Sequence, residues 1–522
     1  MPDSDVTSAE LWADRGAPSL SIARGAMALF GTQPLTWGAS LMVAMLVPRY
    51  LGGQAYGELA VVSSVAGLVG VIVALGVPDF LRRQVALHQD RAANEAAGAM
   101  LLLLGLAVLA AVGLFIAWPI FGGTTTLVPL LLIALAGMIM GTGQSILFAV
   151  LVGQERHARF AWLNAVGTLI GAVAGVYMLM SGWGVEVYLA ATVAATGVMS
   201  VIGWCTSSLG VSRARLVPSQ LKQLVLGGLP FLGWNIAIRV RAEIYVVIVA
   251  MLLHEQSAGW LAAAYRITYV PLFIPTLITT PLLPVLSRYA GDPIVFRRTL
   301  RESLIAVFGV TVPAGAMTMA LAPSIPELLG WSAEFQHSVP FMMILAFAQP
   351  LVALGMVLGT GLIALRQERR WLNVAIAAAL VNPSLNLLLI PVLEQWFQNG
   401  AMGAVIAEVA TELVMLAGAF MLLPRGIVDR GLVIAGARIL VAGICLGLVT
   451  TAARTVPLPA VASVPFSAAA GGVTFVLVAL LLGCFRLADV RNARSLLQDV
   501  LSRRSNRRSG DASVSDPAVG LA

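Results

Sequence analysis

The chain has 522 residues, of which 59% are hydrophobic and only 11% are charged. Soluble domains contain about 25% charged residues, so this composition excludes an ordinary soluble protein. A net charge of +7 and a pI near 9.8 would also suit a nucleic-acid-binding protein. We expect no nucleic acid as a partner, because most basic residues lie in short gaps between apolar segments, where they orient a membrane protein.

Fourteen apolar segments follow one another, and most have about the 20 residues that cross a membrane as a helix. Every second gap between them contains at least two Arg or Lys residues, whereas the intervening gaps contain only Arg49 and Arg454. Short loops rich in Arg and Lys stay in the cytoplasm. The pattern therefore predicts an all-α polytopic inner-membrane protein with both termini in the cytoplasm. The segments, numbered one to fourteen, are 22–47, 58–81, 95–118, 126–152, 160–180, 184–204, 223–253, 258–285, 301–322, 338–364, 372–393, 400–423, 432–453 and 463–485.

Two sequence matches indicate repeated halves. The tripeptide Gln-Glu-Arg occurs at 154–156 and 367–369, before segments five and eleven, and Trp-Leu-Asn follows at 162–164 and 371–373. A shift of six helices preserves orientation, so we expect two six-helix parallel-repeat lobes around a central cleft, plus two C-terminal helices. The predicted parts are a cytoplasmic tail 1–21, an N-lobe 22–210, an interfacial linker 211–222, a C-lobe 223–425, segments thirteen and fourteen at 426–485, and a basic cytoplasmic tail 486–522 with a surface helix at 487–502.

Segment seven contains Arg239, Arg241 and Glu243, preceded by Asn235. An ionisable residue inside a membrane span is a functional candidate, because it costs at least ~2.5–3.5 kcal/mol at a helix centre. Positions 235, 239 and 243 share one helix face, and Arg241 is turned about 200° away from Arg239. We interpret Arg239 as an anion-binding residue steadied by Glu243, and Arg241 and Asn235 as further candidate substrate-binding residues. Glu243 is also a candidate coupling-ion residue. The alternative is that Arg239 and Arg241 snorkel to the cytoplasmic headgroups.

Four more charged residues are site candidates. Arg266 lies inside segment eight, and Arg24 at the start of segment one either faces the cleft or is an orientation charge. Glu408 and Glu412 lie one turn apart in segment twelve, where their repulsion favours sharing a proton or binding a coupling cation. The alternative is that each carboxylate hydrogen-bonds a neighbouring helix.

The remaining features predict structure rather than chemistry. Segment eight contains four prolines, so its helix must bend or break: Pro271, Pro275, Pro281 and Pro284. Asp79 and Arg82 have the spacing of an ion pair at a helix end. The three cysteines lie far apart, without metal or redox spacing. We expect no catalytic residue, metal or cofactor, and leave open a proton or sodium gradient as the energy source.

Four motifs, in this order, resemble the Wzx-like polysaccharide flippases of the multidrug/oligosaccharidyl-lipid/polysaccharide (MOP) superfamily. They are VPRYLGGQAYG at 47–57, LGVPDFLRR at 75–83, GWLAAAY at 259–265 with PVLSR at 284–288, and NGAMGAVIA at 399–407. The resemblance departs at Glu243, where many relatives would have Asp. The charge-rich early loop of the peptidoglycan-precursor flippase is also not evident.

The resemblance implies a transporter rather than an enzyme, located in the bacterial inner membrane. Its implied substrate is a polyprenyl-pyrophosphate-linked oligosaccharide, a repeat unit of lipopolysaccharide, capsule or exopolysaccharide. The implied partners are this substrate and membrane lipids, with glycan polymerase or chain-length machinery left open. Two alternatives remain: a multidrug or cation-coupled antiporter of the same superfamily, and a membrane-embedded glycan polymerase or ligase.

Overall fold

The computed structural model describes residues 16–119, 124–207, 218–457 and 459–484, with side chains from residue 31 onward except those of 218, 219 and 460. Within these ranges the backbone forms sixteen α-helices and no strand. The predicted all-α architecture is therefore confirmed. The predicted surface helix at 487–502, the C-terminal tail and most of the N-terminal tail lie outside the described residues.

The first half of the chain contains α1 to α6. Segments one and two form α1 (Gly16–Ala74), and they meet at Gly52, where the backbone is not helical (φ 72°, ψ 175°). Glycine adopts a positive φ without steric cost, so the helix can kink there. The other helices are α2 (Val77–Leu87), α3 (Ala92–Ala117), α4 (Val128–Gly153), α5 (His157–Met180) and α6 (Val185–Thr206).

The second half begins with α7 (Pro218–Leu252). Segment eight is divided, as its prolines predicted: a 3-10 turn containing Pro271 separates α8 (Glu255–Thr268) from α9 (Phe273–Arg288). Proline removes a backbone donor and clashes with the preceding turn, so the α-helix stops there. The remaining helices are α10 (Pro293–Leu321), α11 (Ile325–Leu329), α12 (Val339–Ala364), α13 (Glu368–Phe397), α14 (Ala401–Leu422), α15 (Arg430–Ala453) and α16 (Ala460–Leu481).

All fourteen predicted segments are present as helices. Twelve helical stretches within the described residues are long and apolar enough to cross a membrane. One of these twelve stretches contains both segment one and segment two. Segment seven forms α7, a further long helix that is outside this set and has three charges near its centre. Residues 218–222 of the predicted linker are helical, and 211–217 lie outside the described ranges. The chain is a polytopic membrane protein.

The two halves repeat the same pattern of helix packing. In the first half, α1 packs on α5, α5 on α6, α4 on α6, and α3 on α4. Six segments later, α7 packs on α13, α13 on α14, α12 on α14, and α10 on α12. α15 packs on α10, and α16 packs on α15. Because the same segment pairs recur after a shift of six, the halves have the relation expected of parallel repeats.

The turns before α5 and α13 have the same hydrogen bonding but not the predicted register. The amides of 154, 155 and 156 donate to carbonyls four, three and five residues earlier, and those of 365, 366 and 367 do the same. Glu155 (φ 59°) and Arg366 (φ 56°) are equivalent left-handed residues. The two Gln-Glu-Arg tripeptides are therefore out of register by two residues. Equating them was wrong in detail, although the repeat is real.

The bundle has two ends, which we name by their turns. The basic end contains the Arg-rich turns, including those at 154–156 and 365–367. The opposite end contains the kink at Gly52 and the turns before α8 and α12. The largest buried apolar cluster includes residues of both halves near the opposite end, among them Val47, Val249, Leu261 and Phe335. This cluster holds the halves together there.

Candidate functional site between the repeats

Arg239 and Glu243 form an ion pair one turn apart on α7, as their spacing predicted. The Arg239 side chain remains 45% exposed, whereas that of Glu243 is 22% exposed. The Glu243 carboxylate packs against Gly67 of α1, where an added Cβ would lie 2.5 Å from Oε2. The ion pair therefore leaves part of the Arg239 side chain accessible. It also lines a cavity of about 380 Å³ with residues of α1 and α4 that include Ser63, Gly70, Thr142 and Ser145.

Arg241 lies on another face of α7 and contacts the two carboxylates of α14. Its guanidinium donates to Glu412 and lies 3.5 Å from Glu408. The side chains of Glu408 and Glu412 are buried, 5% and 3% exposed. Tyr269 donates a hydrogen bond of 3.0 Å to Glu408. Arg241 is therefore bound to buried carboxylates within the bundle rather than directed to lipid headgroups.

This buried cluster contains one cation and two acids. Asn382 of α13 donates to Glu408 (3.3 Å) and to Thr411 (3.2 Å), and Asn386 donates to Asn382 (2.9 Å). These neutral groups orient the carboxylates without changing the charge. With both acids ionised, the cluster would keep one uncompensated negative charge, which is costly when buried. The arrangement therefore favours uptake of one proton or one small cation.

Arg266 of α8 has a different environment. It lies inside the bundle yet forms no ion pair or hydrogen bond with any described residue. Its side chain is open to a cavity of about 440 Å³ between α1, α5, α6 and α8. Tyr56, Tyr188 and Tyr245 are its electrostatic neighbours. Such an unpaired guanidinium can bind an anionic group bidentately. The cavity is also lined by Tyr269 and by four Ser and Thr side chains: Ser40, Thr168, Thr192 and Thr196.

Two other predicted binding residues are not seen at these cavities. The Asn235 amide donates to Asp79 over 2.9 Å, so it ties α7 to α2. Asp79 also forms the predicted ion pair with Arg82, at 3.0 Å. Asn235 lines neither cavity. The side chain of Arg24 lies outside the described residues.

A polar cluster at the opposite end joins the two halves. Glu334, before α12, accepts hydrogen bonds from the amide of Gly53 (2.8 Å) and from the side chain of Gln256 (2.6 Å). Nearby, Gly57 of α1 and Gly259 of α8 touch backbone to backbone, and a Cβ on either would overlap the other helix. Glycine at both positions therefore permits this close approach.

Sequence reasoning missed Tyr269, Asn382 and Thr411 as members of the buried cluster, and it gave Glu334 no role. A signal existed for α13, because Asn382 and Asn386 lie one turn apart in an apolar segment. A helical period shows which residues share a face, but it does not show which helix that face contacts.

The repeated six-helix halves, with cavities between them and two additional helices, define a class of multi-pass membrane fold. Solved structures that share this fold include the following three. The lipid II flippase MurJ in an inward closed conformation has a TM-score of 0.67 and 11% identity, covering 88% of this chain and 98% of that one. An inward-facing multidrug resistance MATE family transporter of the MOP superfamily has a TM-score of 0.62 and 16% identity, covering 73% and 93%. An outward-facing MATE transporter has a TM-score of 0.51 and 17% identity, covering 77% and 94%.

At these identities the structural likeness shows the fold alone. The family is shown by sequence: a family model described as "Polysaccharide biosynthesis protein" matches residues 46–340, more than half of the chain. The chain therefore belongs to this polysaccharide biosynthesis family. The predicted resemblance to the MOP superfamily is confirmed as a likeness of fold. No curated protein gives a significant sequence match.

Proposed function

We propose that this protein is a flippase that moves a polyprenyl-pyrophosphate-linked oligosaccharide across the bacterial inner membrane. The observation that carries the proposal is Arg266, an arginine inside the bundle with no acidic partner among the described residues, in a hydroxyl-lined cavity. A pyrophosphate inside a membrane needs a cationic partner, because burying an isolated charge is prohibitive. Thr168, Thr192 and Thr196 donate hydrogen bonds to carbonyls of their own helices, so their hydroxyl oxygens can accept hydrogen bonds from sugar hydroxyls.

Arg239 supports the same proposal from the other side of α1. It is partly exposed and lines the second cavity, although Glu243 already neutralises much of its charge. We assign Arg266 the main contact with the pyrophosphate and Arg239 a secondary one. We assign Arg241 no substrate contact in this conformation, because its guanidinium is already paired with Glu408 and Glu412.

The mechanism we propose is alternating access. The halves are joined at the opposite end by Glu334 and by the contact of Gly57 with Gly259. Substrate would then reach the cavities from the basic end, which the positive-inside rule assigns to the cytoplasm. Separation of the joined ends would release the sugar on the other side. Delivery there to glycan-polymerising machinery would complete lipopolysaccharide, capsule or exopolysaccharide synthesis.

The test is flipping of a fluorescent polyprenyl-pyrophosphate oligosaccharide in proteoliposomes. Arg266→Ala should slow flipping by about 10–100-fold, the range expected for a lost charge-assisted hydrogen bond. The matched control is Arg298→Ala, because Arg298 is 80% exposed and pairs with Glu302 at the basic end. Wild-type flipping by Arg266→Ala would contradict the proposal, whereas equal loss in both variants would point to general damage.

A cation-coupled antiporter is the second candidate, favoured by the buried cluster of Glu408 and Glu412. Its excess negative charge would attract a proton, a sodium ion or an organic cation. The two functions separate by substrate. Gradient-driven export of a lipophilic cation that requires Glu408, together with no flipping of the lipid-linked oligosaccharide by the wild-type protein, would establish the antiporter.

A further inference from the structure

A separate cavity of about 630 Å³ lies between α2 and α7 at the basic end. Arg83 of α2 and Lys222 of α7 contribute two cations to its lining. Phe80, Leu87 and Leu226 form its apolar surface. The combination of like charges with an adjoining apolar surface distinguishes it from the hydroxyl-lined cavities between the repeats.

The two cations have no acidic partner. Neither Arg83 nor Lys222 forms an ion pair within the part of the chain that the structure describes. Two neighbouring arginines do form ion pairs: Arg82 pairs with Asp79 at 3.0 Å, and Arg91 pairs with Asp90 at 3.8 Å. Two cations that line one cavity, with no carboxylate in its lining, repel each other, so a bound anion would stabilise this cavity.

The walls of the cavity are fixed by close helix packing. Gly76 at the start of α2 lies against the backbone of Gly228 in α7, and an added Cβ on Gly228 would meet the Val77 amide at 3.0 Å. The Phe80 ring fills the space beside Gly227. Farther along α7 from Lys222, the Asn235 side chain donates a hydrogen bond to Asp79 of α2. Close packing between the two halves therefore places the backbone that carries Arg83 and Lys222.

We propose that this cavity binds an anionic phospholipid-type molecule of the leaflet at the basic end. Its phosphate would lie between Arg83 and Lys222, and its hydrocarbon chain would follow Phe80, Leu87 and Leu226. Basic residues beside the membrane surface attract such headgroups. A soluble phosphate would use the cations but gain nothing from the apolar surface. Because α2 and α7 belong to different halves, a lipid bound here stabilises their contact at the basic end.

The experiment is native mass spectrometry of the full-length protein, delipidated in detergent and titrated with phosphatidylglycerol. Phosphatidylcholine with the same acyl chains is the reference lipid. The double variant Arg83→Gln/Lys222→Gln should bind phosphatidylglycerol about 25-fold more weakly, at roughly fivefold for each cation removed. Its matched control is Arg82→Gln/Arg91→Gln, which removes two basic residues of the same end that do not line the cavity. The control should change the affinity less than twofold.

A second variant tests the apolar surface while both cations remain. Leu226 is 56% exposed, so Leu226→Trp can occupy the cavity without repacking the interior. It should also weaken phosphatidylglycerol binding, by at least fivefold. Unchanged binding in Arg83→Gln/Lys222→Gln would overturn the site. The site would also be overturned if a correctly assembled Leu226→Trp protein bound phosphatidylglycerol normally and inorganic phosphate alone competed for the same two cations.

Parallel titrations with a polyprenyl phosphate distinguish the possible sources of the lipid. Equal affinities for polyprenyl phosphate and phosphatidylglycerol, both lost in the double variant, would identify a site for bulk anionic lipid. An affinity at least tenfold higher for polyprenyl phosphate would identify a docking site for the prenyl lipid class. Both results support a phosphate-bearing lipid, and neither depends on whether Arg266→Ala flips its substrate.

Discussion

The three arginines inside the membrane-spanning bundle differ in how far acidic side chains already neutralise their charge. Arg241 contacts two buried carboxylates, and Arg239 contacts one that is partly exposed. Arg266 contacts none in the described residues. A cation that is already paired gains little from a new anion, whereas an unpaired one gains a full charge-assisted contact. The order of expected substrate contact is therefore Arg266, Arg239 and then Arg241.

Arg239→Ala should abolish most flipping, but this single variant has two explanations. It removes a possible substrate contact, and it also leaves Glu243 as an unpaired carboxylate against Gly67. The double variant Arg239→Ala/Glu243→Gln removes both charges together. If Arg239 binds pyrophosphate, the double variant stays inactive, and Arg239→Lys retains part of the activity. Full flipping by the double variant would show that Arg239 only neutralises Glu243.

Arg241→Ala should be the most destabilising of the three alanine variants. It leaves Glu408 and Glu412 buried without a cation, and loss of one partner from a buried pair costs about 3–5 kcal/mol. Thermal unfolding of the purified protein in detergent measures this loss. Arg266→Ala is the internal control, because its removal leaves no acidic partner behind. Equal melting temperatures for Arg241→Ala and Arg266→Ala would contradict this assignment.

At the scale of helices, apolar length and proline predicted most of what the structure contains. The segments and the break of segment eight near Pro271 follow from local composition, and the parallel repeat was predicted from short sequence matches. The contacts between side chains of different helices do not follow from local composition. Spacing turned Arg241 away from Arg239, but only packing of α7 beside α14 brings it to Glu412. The repeat register was also mistaken, because hydrogen bonding at the turn, rather than residue identity, makes Glu155 equivalent to Arg366.

The alternation of basic turns predicts the side of the membrane that each loop faces. Reporter fusions after Arg91 and Arg370 should report the cytoplasm, and fusions near His254 and Glu334 should report the outer side. The physical reason is that loops rich in Arg are retained in the cytoplasm during insertion. Paired alkaline phosphatase and fluorescent protein fusions measure this. Reversal at two or more of the four sites would contradict the topology.

The cluster built by α7, α8, α13 and α14 is the expected site of coupling to an ion gradient. Glu408→Gln leaves Arg241 paired with Glu412, so the cluster becomes neutral and needs no further cation. Transport should therefore continue weakly and lose its dependence on the proton or sodium gradient. Gradient-driven flipping in liposomes, with Glu302→Gln as an exposed control, measures the change. Unchanged gradient dependence in both Glu408→Gln and Glu412→Gln would leave the carboxylates as structural contacts only.

For the whole molecule, the repeat creates a self-complementary contact at the opposite end. Gly57 and Gly259 stand near the starts of segments two and eight, which are equivalent after a shift of six, and their backbones touch. Glu334 adds hydrogen bonds to Gly53 and Gln256 across the same junction. Small residues permit close contact, and hydrogen bonds donated to a carboxylate hold it. In the alternating-access mechanism that we propose, the opposite end is therefore the gate that opens for release.

Gly259→Ala should hold this gate open, because its methyl group would overlap the Gly53 carbonyl and the Gly57 amide. The probe is a cysteine at Thr192, in the cavity of Arg266, within a background that lacks Cys205, Cys445 and Cys484. A membrane-impermeant maleimide added outside intact cells should label this cysteine slowly in the parent protein. In Gly259→Ala, labelling should be at least tenfold faster and flipping should be lost.

The matched control is Gly233→Ala, since an added Cβ on Gly233 would meet nothing within 4 Å. It should leave both labelling and flipping unchanged. Glu334→Ala should give intermediate labelling: it removes hydrogen bonds worth about 1.5–3 kcal/mol each to a charged group, but it adds no steric clash. If Gly259→Ala is labelled as slowly as Gly233→Ala, the contact between the repeats is not a gate, and the cavities must open to the outer side by another route.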